Sequence, residues 1–350
     1  MRPRFRDVTF QRLCITRSCS VAAVLLAALA APAAARGQQT NPLAEIAKKT
    51  DIGDADRQAI RRAVEDRVQT MVRATRDVDR VDARQALIEW LKPGTPPFRA
   101  AGATIASEEL TPVLSGGKLS AALDAAMIIG ELRHPATRDA LIAALNSRFA
   151  AVRYRGALGI QHLQDQLTEP STYQPVIAAL ADAGERETSS SVVRVIYRAL
   201  DFSQAQKDFA GANEVSIALA RIFAARFEYS EHDPTPDAVG CAVALRIARQ
   251  LKEPPTRLVA GLTFVLRRLA AMARDDAESV RVDVVESCET ALHGLLEAHG
   301  VQTRNLPRVT DAIRAKADAK QLEAALAALL GAEGKPGVLN QAPWNLPMGG

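Results

Sequence analysis

Apolar residues along most of this chain recur with the period of an α-helix. Val192, Val195, Ile196, Ala199 and Leu200 fall at i, i+3, i+4, i+7 and i+8. Leu258, Leu262, Val265, Leu266 and Leu269 keep the same period, as do Val280, Val284, Cys288, Ala291, Leu292 and Leu295. No stretch alternates as a strand would. From about Leu43 to about Leu330 the chain therefore reads as all-α, with breaks at Pro, Gly and polar clusters.

The pattern changes character on the way. A helix at about 54–78 has one narrow stripe, Ile60, Val64, Val68, Met71, Val72 and Val78, on an otherwise charged surface. One apolar side suits the end of a stack; the alternative is self-association through a short coiled coil. Pro93, Gly94, Pro96 and Pro97 break the chain after Trp90-Leu91. Beyond them the segments are shorter and apolar on more than one face, as inner helices are. A last helix is expected at about 309–330, ending at Gly331. Residues 331–350 hold too much Gly and Pro for a helix. They form either a disordered tail or an extended segment lying on the stack, with Trp344 as its contact residue.

The first 35 residues have the three parts of a secretory signal. Arg2, Arg4, Arg6, Arg12 and Arg17 lead, an apolar run spans Val21 to Ala35, and Ala33-Ala34-Ala35 offers a cleavage site. At about 1.5 Å per residue the run reaches roughly 22 Å, short of the roughly 30 Å hydrocarbon core. The expectation is a cleaved signal and a periplasmic or secreted protein; the alternative is an uncleaved inner-membrane anchor. Residues 36–42 then read as a linker, 43–92 as amphipathic helices capping a stack, and 93–330 as the stack itself. An excess of Arg over Lys, with abundant Ala, suits a GC-rich bacterial genome.

The leader also accounts for the charge. The chain carries 44 Lys+Arg against 40 Asp+Glu, and the leader holds five Arg and one acid, Asp7, which is the whole excess. A neutral mature chain with 4% aromatic residues gives little for nucleic acid or base stacking to bind. Cys14 and Cys19 leave with the leader, and Cys241 and Cys288 remain, either as a disulfide or as two buried thiols.

Overlaying the segments brings out a repeat. Residues 135–163 give a helix opened by Pro135, a polar turn, and a second helix beginning Val152-Arg153. AAMIIGEL (125–132) matches GALGIQHL (156–163) at an offset of 31. The plan returns at 174–200 with Val193-Arg194 and at 278–292 with Val280-Arg281. Pro135, Leu141, Leu145, Val152, Arg153, Ala157 and Leu163 resemble the HEAT-repeat superfamily, in its bacterial branch of short HEAT-like repeats. The resemblance covers about 118–300 and is best in the middle. Unequal spacing, seven residues from Leu145 to Val152 but thirteen from Leu180 to Val193, makes the repeats irregular. It implies an α-solenoid, a superhelix of stacked antiparallel helix pairs; other α-solenoids or a compact bundle remain open. It further implies that Arg153, Arg194 and Arg281 brace neighbouring repeats rather than form a binding ridge. Gly156 and Gly159 inside a helix point to close backbone approach, since each costs about 1 kcal/mol against Ala.

Chemistry is sparse. His134, His162, His232, His293 and His299 have no His or Cys at i+3 or i+4, and read as surface or cap residues. Ser115-Gly116-Gly117-Lys118 reads as a helix C-cap and turn, not a phosphate loop, and Ser189-Ser190-Ser191 as an N-cap cluster. Arg274-Asp275-Asp276 and Glu231-His232-Asp233 read as solvated loop charges, the latter at most a weak cation site. No catalytic, cofactor-binding or metal-ligating residue is assigned, and no cofactor is expected. The function expected is a non-enzymatic exported scaffold binding a protein or peptide. The alternatives are a self-associating envelope protein that uses helix 54–78, or an enzyme with a site in the groove of the stack. No nucleic-acid partner is expected, and no stable membrane insertion if the signal is cleaved.

Overall fold

The computed structural model describes residues 41–228, 232–275, 280–332 and 335–347. The expected signal (1–35), most of the linker, Glu231, Asp276 and the Glu278-Ser279 start of the third repeat lie outside the described residues. No named strand occurs among the described residues; the fold is an α-solenoid.

Among the described residues fourteen α-helices follow one another: α1 Asp54–Arg73, α2 Asp77–Leu91, α3 Pro96–Leu114, α4 Leu119–Leu132, α5 Arg138–Leu145, α6 Ala150–Gln161, α7 Pro170–Arg186, α8 Ser190–Ala199, α9 Ala212–Glu228, α10 Asp237–Ala248, α11 Thr256–Asp275, α12 Val282–Ala298, α13 Val309–Arg314 and α14 Ala319–Leu330. From α1 to α11 each helix packs on the next but one, and the two helices of each pair, α1 with α2, α3 with α4 and so on to α11 with α12, also pack on each other. Odd-numbered helices thus make one layer and even-numbered helices the other. Cross-helix pairs fix the direction within a layer: Arg84 meets Asp124, and Lys92 meets Glu131, so α2 and α4 run parallel. Consecutive antiparallel pairs, stacked side by side, are the result.

The apolar period explains the layering. α8 buries Val192, Val193, Val195, Ile196 and Tyr197, because α6, α7 and α10 cover it from three directions. Among the described residues α1 packs chiefly on α2 and α3, so Ile60, Val64, Val68 and Met71 are buried and the outward face stays charged. The even helices from α2 to α12 begin at residues 77, 119, 150, 190, 237 and 282. The offset of 31 therefore holds for α4 to α6 alone; the other steps run from 40 to 47, because α5 has 8 residues where α3, α7, α9 and α11 have 17 to 20.

Close approach does occur at the two helical glycines. A Cβ on Gly159 would stand 3.2 Å from the Cα of Gly130 in α4, and one on Gly156 2.9 Å from the Ala144 Cβ in α5. Only the absence of side chains lets α6 sit this near both neighbours.

Three boundaries differ from the sequence reading. The helix expected at 54–78 stops at Arg73, and Val78 instead opens α2, where it is 46% exposed. The helix expected at 309–330 is two helices. Lys316 adopts a left-handed φ of 51°, and its N–H bonds to Ile313 O while that of Ala317 bonds to Ala312 O. These two bonds close α13 in a Schellman turn, and the Asp318 carboxylate then accepts the Gln321 N–H to open α14. The C-terminal segment does lie on the stack. Trp344 and Leu339 are buried, and the Trp344 ring meets His299 edge-on at 5.5 Å.

Candidate functional site

Ser147, Glu187, Arg226 and Asp237 are buried where the two helices of a pair join, along one edge of the stack. Arg153, on the first turn of α6, points across this edge to Glu187 just beyond α7. Its Nε and Nη2 donate to the two carboxylate oxygens at 2.6 and 2.8 Å, and its Nη1 donates to Ser147 O. Glu187 also accepts the N–H groups of Thr188 and Ser189, the start of α8. Burial pushes this carboxyl up, but Arg153 and the two N–H groups together hold it below the usual range.

One pair further on, the network is deeper. Arg226 of α9 donates through Nε and Nη2 to both oxygens of Asp237, the first residue of α10, at 2.8 and 3.0 Å. It also reaches the carbonyls of Glu187 and Asp233. Tyr197 of α8 donates its hydroxyl to Asp237 at 2.5 Å. Burial raises the Tyr197 phenol well above its ordinary value, with Asp237 adding to the effect, so the hydroxyl stays protonated as a donor. Burial likewise raises Asp237, and Arg226 and Tyr197 oppose this without cancelling it. Four helix ends meet here through groups whose hydrogen bonds are taken. The arrangement braces; it leaves no free acid or base.

Arg281 reaches the preceding pair as well, donating to Thr235 Oγ1 at 3.0 Å and to its own neighbour Asp283. Arg194 does not brace. It is exposed and makes no hydrogen bond or ion pair among the described residues. Arg226 is the strongest brace and carries no motif; its only signal is a charge at a position whose neighbours in the helix are apolar. Arg268, one pair on, does similar work by donating to the carbonyls of Phe227 and Glu228 at the end of α9.

Along the opposite edge a glutamine ladder ties successive turns. Gln164 donates to Arg198 O and Ala199 O, Gln206 to Gln164 O and Leu167 O, and Gln250 to Gln206 O. Each takes carbonyls that a helix end or turn would otherwise leave unpaired.

The remaining sequence candidates separate clearly. Ser115 caps α3 and Gly116 N–H bonds to Val113 O, so 115–118 is the expected turn. Ser189 occupies the N-cap position of α8, yet its hydroxyl faces Ser191 and makes no cap bond; the Glu187 carboxylate accepts the N–H groups of Thr188 and Ser189 just ahead of the helix. Asp233 accepts from Ser190 Oγ and Thr235 N, as a turn-former does. Arg274 and Asp275 are exposed. His134 caps the turn before α5 through Nδ1, and His162 ends α6. His293 departs from the expected surface role: it is buried, and its Nε2 has no partner among the described residues. Cys241 and Cys288 are free, buried thiols on the neighbouring helices α10 and α12.

Cavities open on both edges. One of about 170 Å³ lies beside Arg226, between Phe227, Pro234, Arg268 and Met272. Another, of about 380 Å³, lies over α10 and α12 beneath the turn leading to α13. Among the described residues no group of His, Cys, Asp and Glu is placed to hold a metal ion, and no helix is long and apolar enough to cross a membrane. No protein-family model matches the chain, and no curated protein matches it in sequence.

Proposed function

We propose that this chain is a non-catalytic, exported scaffold, a divergent relative of HEAT-repeat proteins, that holds a protein or peptide partner on the surface of its helical stack. The observation that carries this reading is the use made of the interior charges. Arg153, Glu187, Arg226 and Asp237 join helix ends and neighbouring pairs, which is how a repeat stack keeps a fixed curvature. Few large apolar side chains are exposed among the described residues: Val78, Val81 and Leu119, on the first turns of the parallel helices α2 and α4. A polar surface of this kind suits a charged or polar partner. Arg194, exposed on α8 and without a bond among the described residues, is open to such a partner.

Self-association through α1 would have to use its charged face, since the apolar stripe is already covered by α2 and α3. Export rests on the leader in residues 1–35.

The test is affinity purification from the envelope fraction after mild crosslinking, run in parallel with Arg194→Glu. Recovery of one partner by the wild type, with loss or weakening in the variant, is the expected result. Recovery of no specific partner from the fraction where the protein resides would remove the proposal. N-terminal sequencing of the mature protein checks export separately, and an intact Met1 in the cytoplasm would contradict it.

A further inference from the structure

The cavity of about 380 Å³ is built from three separate parts of the chain. Arg249 ends α10, His293 and Glu297 come from α12, and Thr303, Arg304 and Arg308 come from the turn before α13. Three guanidinium groups therefore face one cavity with a single carboxylate in its lining. That carboxylate is already engaged, because the Thr303 hydroxyl donates to Glu297 Oε1. The other nearby acid, Glu289, is fully buried and accepts the N–H groups of Val309 and Thr310 at 2.7 and 3.2 Å. It forms an ion pair with Arg308, whose Nε lies 3.6 Å away and makes no hydrogen bond among the described residues.

Arg249 and Arg304 are exposed and form no ion pair among the described residues. The second, independent sign comes from His293. It is 8% exposed, lines the same cavity, and its buried Nε2 lacks any hydrogen-bond partner among the described residues. A buried imidazole nitrogen without a partner carries a desolvation cost.

We propose that this cavity binds a small organic molecule through an oxyanion, a phosphate or carboxylate group. The guanidinium groups match such an anion in charge and donor geometry, and His293 lines the floor. The volume falls in the range of small-molecule pockets, about 300–1,000 Å³, so the anion arrives attached to a larger body. The site is independent of the scaffold reading, since it lies on the edge opposite the Arg153 and Arg226 braces.

The experiment is thermal unfolding and isothermal titration of the full chain with glycerol 3-phosphate, citrate and inorganic phosphate. Glycerol and sodium chloride at matched ionic strength are the controls. A saturable rise in Tm with glycerol 3-phosphate or citrate, absent in both controls, is expected. The phosphate ester against the tricarboxylate tells which oxyanion the site takes. Arg249→Glu/Arg304→Glu should weaken binding at least about tenfold for each lost charge-assisted hydrogen bond, without lowering the Tm of the free protein. Should that double variant unfold early, Arg304→Gln alone carries the same comparison. A His293 ring resonance that moves with ligand occupancy places the molecule at the floor. No saturable response to any of the three anions, or an equal response in the variants, overturns the proposal.

Discussion

Arg61 and Arg226 join helices in the same chemical way, yet they sit in opposite surroundings. At the first end of the stack, Arg61 of α1 pairs with Glu108 and Glu109 of α3 at 2.5 and 2.6 Å, with 41% of its side chain in solvent. Two pairs before the far end, Arg226 pairs with Asp237 at 2.8 Å with 3% exposed. Arg153 with Glu187 lies between them, the Arg at 22% and the acid at 1%. The series shows that exclusion of water, rather than residue type, sets what an ion pair is worth. A terminal helix leaves its outer face to water, which screens the charges; an inner turn is covered by two neighbours.

The largest break in this series is expected at the deepest pair. Asp237→Ala strands a buried guanidinium and should cost about 3–5 kcal/mol in urea denaturation. Replacing both partners with apolar residues, Arg226→Met and Asp237→Leu together, should cost clearly less than Asp237→Ala alone. A double variant as unstable as the single one would mean that Tyr197 and the backbone contacts, not the charge pair, dominate there.

Glu187→Ala should follow at about 1.5–3 kcal/mol, since Arg153 keeps the Ser147 carbonyl and some water. The same residue sharpens the comparison through pH. Its folded carboxyl titrates below the ordinary glutamate value of 4.5. Its stabilising contribution is therefore complete above that value and is lost as pH falls through the lower folded one. The stability gap between wild type and Glu187→Gln should accordingly shrink on acidification below about 4.5 and stay constant above it. A gap that widens on acidification would contradict the assignment.

The smallest effect belongs to the exposed end. Arg61→Ala should change stability by less than about 1 kcal/mol, and salt should reduce even that. A cost equal to that of Glu187→Ala would erase the distinction between end and interior.

Much of the architecture was legible beforehand in the chain. The stripe of α1, the proline break before α3, the polar turn between α5 and α6, and the small residues of α6 each follow from a local rule. Helical period and breakers act within a few residues, so a single sequence displays them. The division of 309–330 into two helices was not legible. Its stop is a lysine, not a glycine, in the left-handed region, and that conformation pays no visible tribute to residue type. The serine cluster before α8 was legible only in part: Ser189 is the N-cap residue, but its hydroxyl turns to Ser191 and makes no cap bond.

The cavity residues were harder still. Arg249, His293 and Arg304 lie 44 and 11 residues apart in the chain and share no motif. Only the packing of α12 on α10, with the following turn folded over both, brings them to one space.

By itself the sequence determined that this chain is helical, that its helices come in pairs, and that the pairs must hide their apolar faces against one another. Those properties depend on side-chain spacing along a single helix, where each residue's neighbours are known. Which arginines brace, which histidine is buried, and where a cavity opens were decided by tertiary structure alone. Charge becomes costly or useful only when other segments exclude water from it, and that exclusion is a property of the assembled stack.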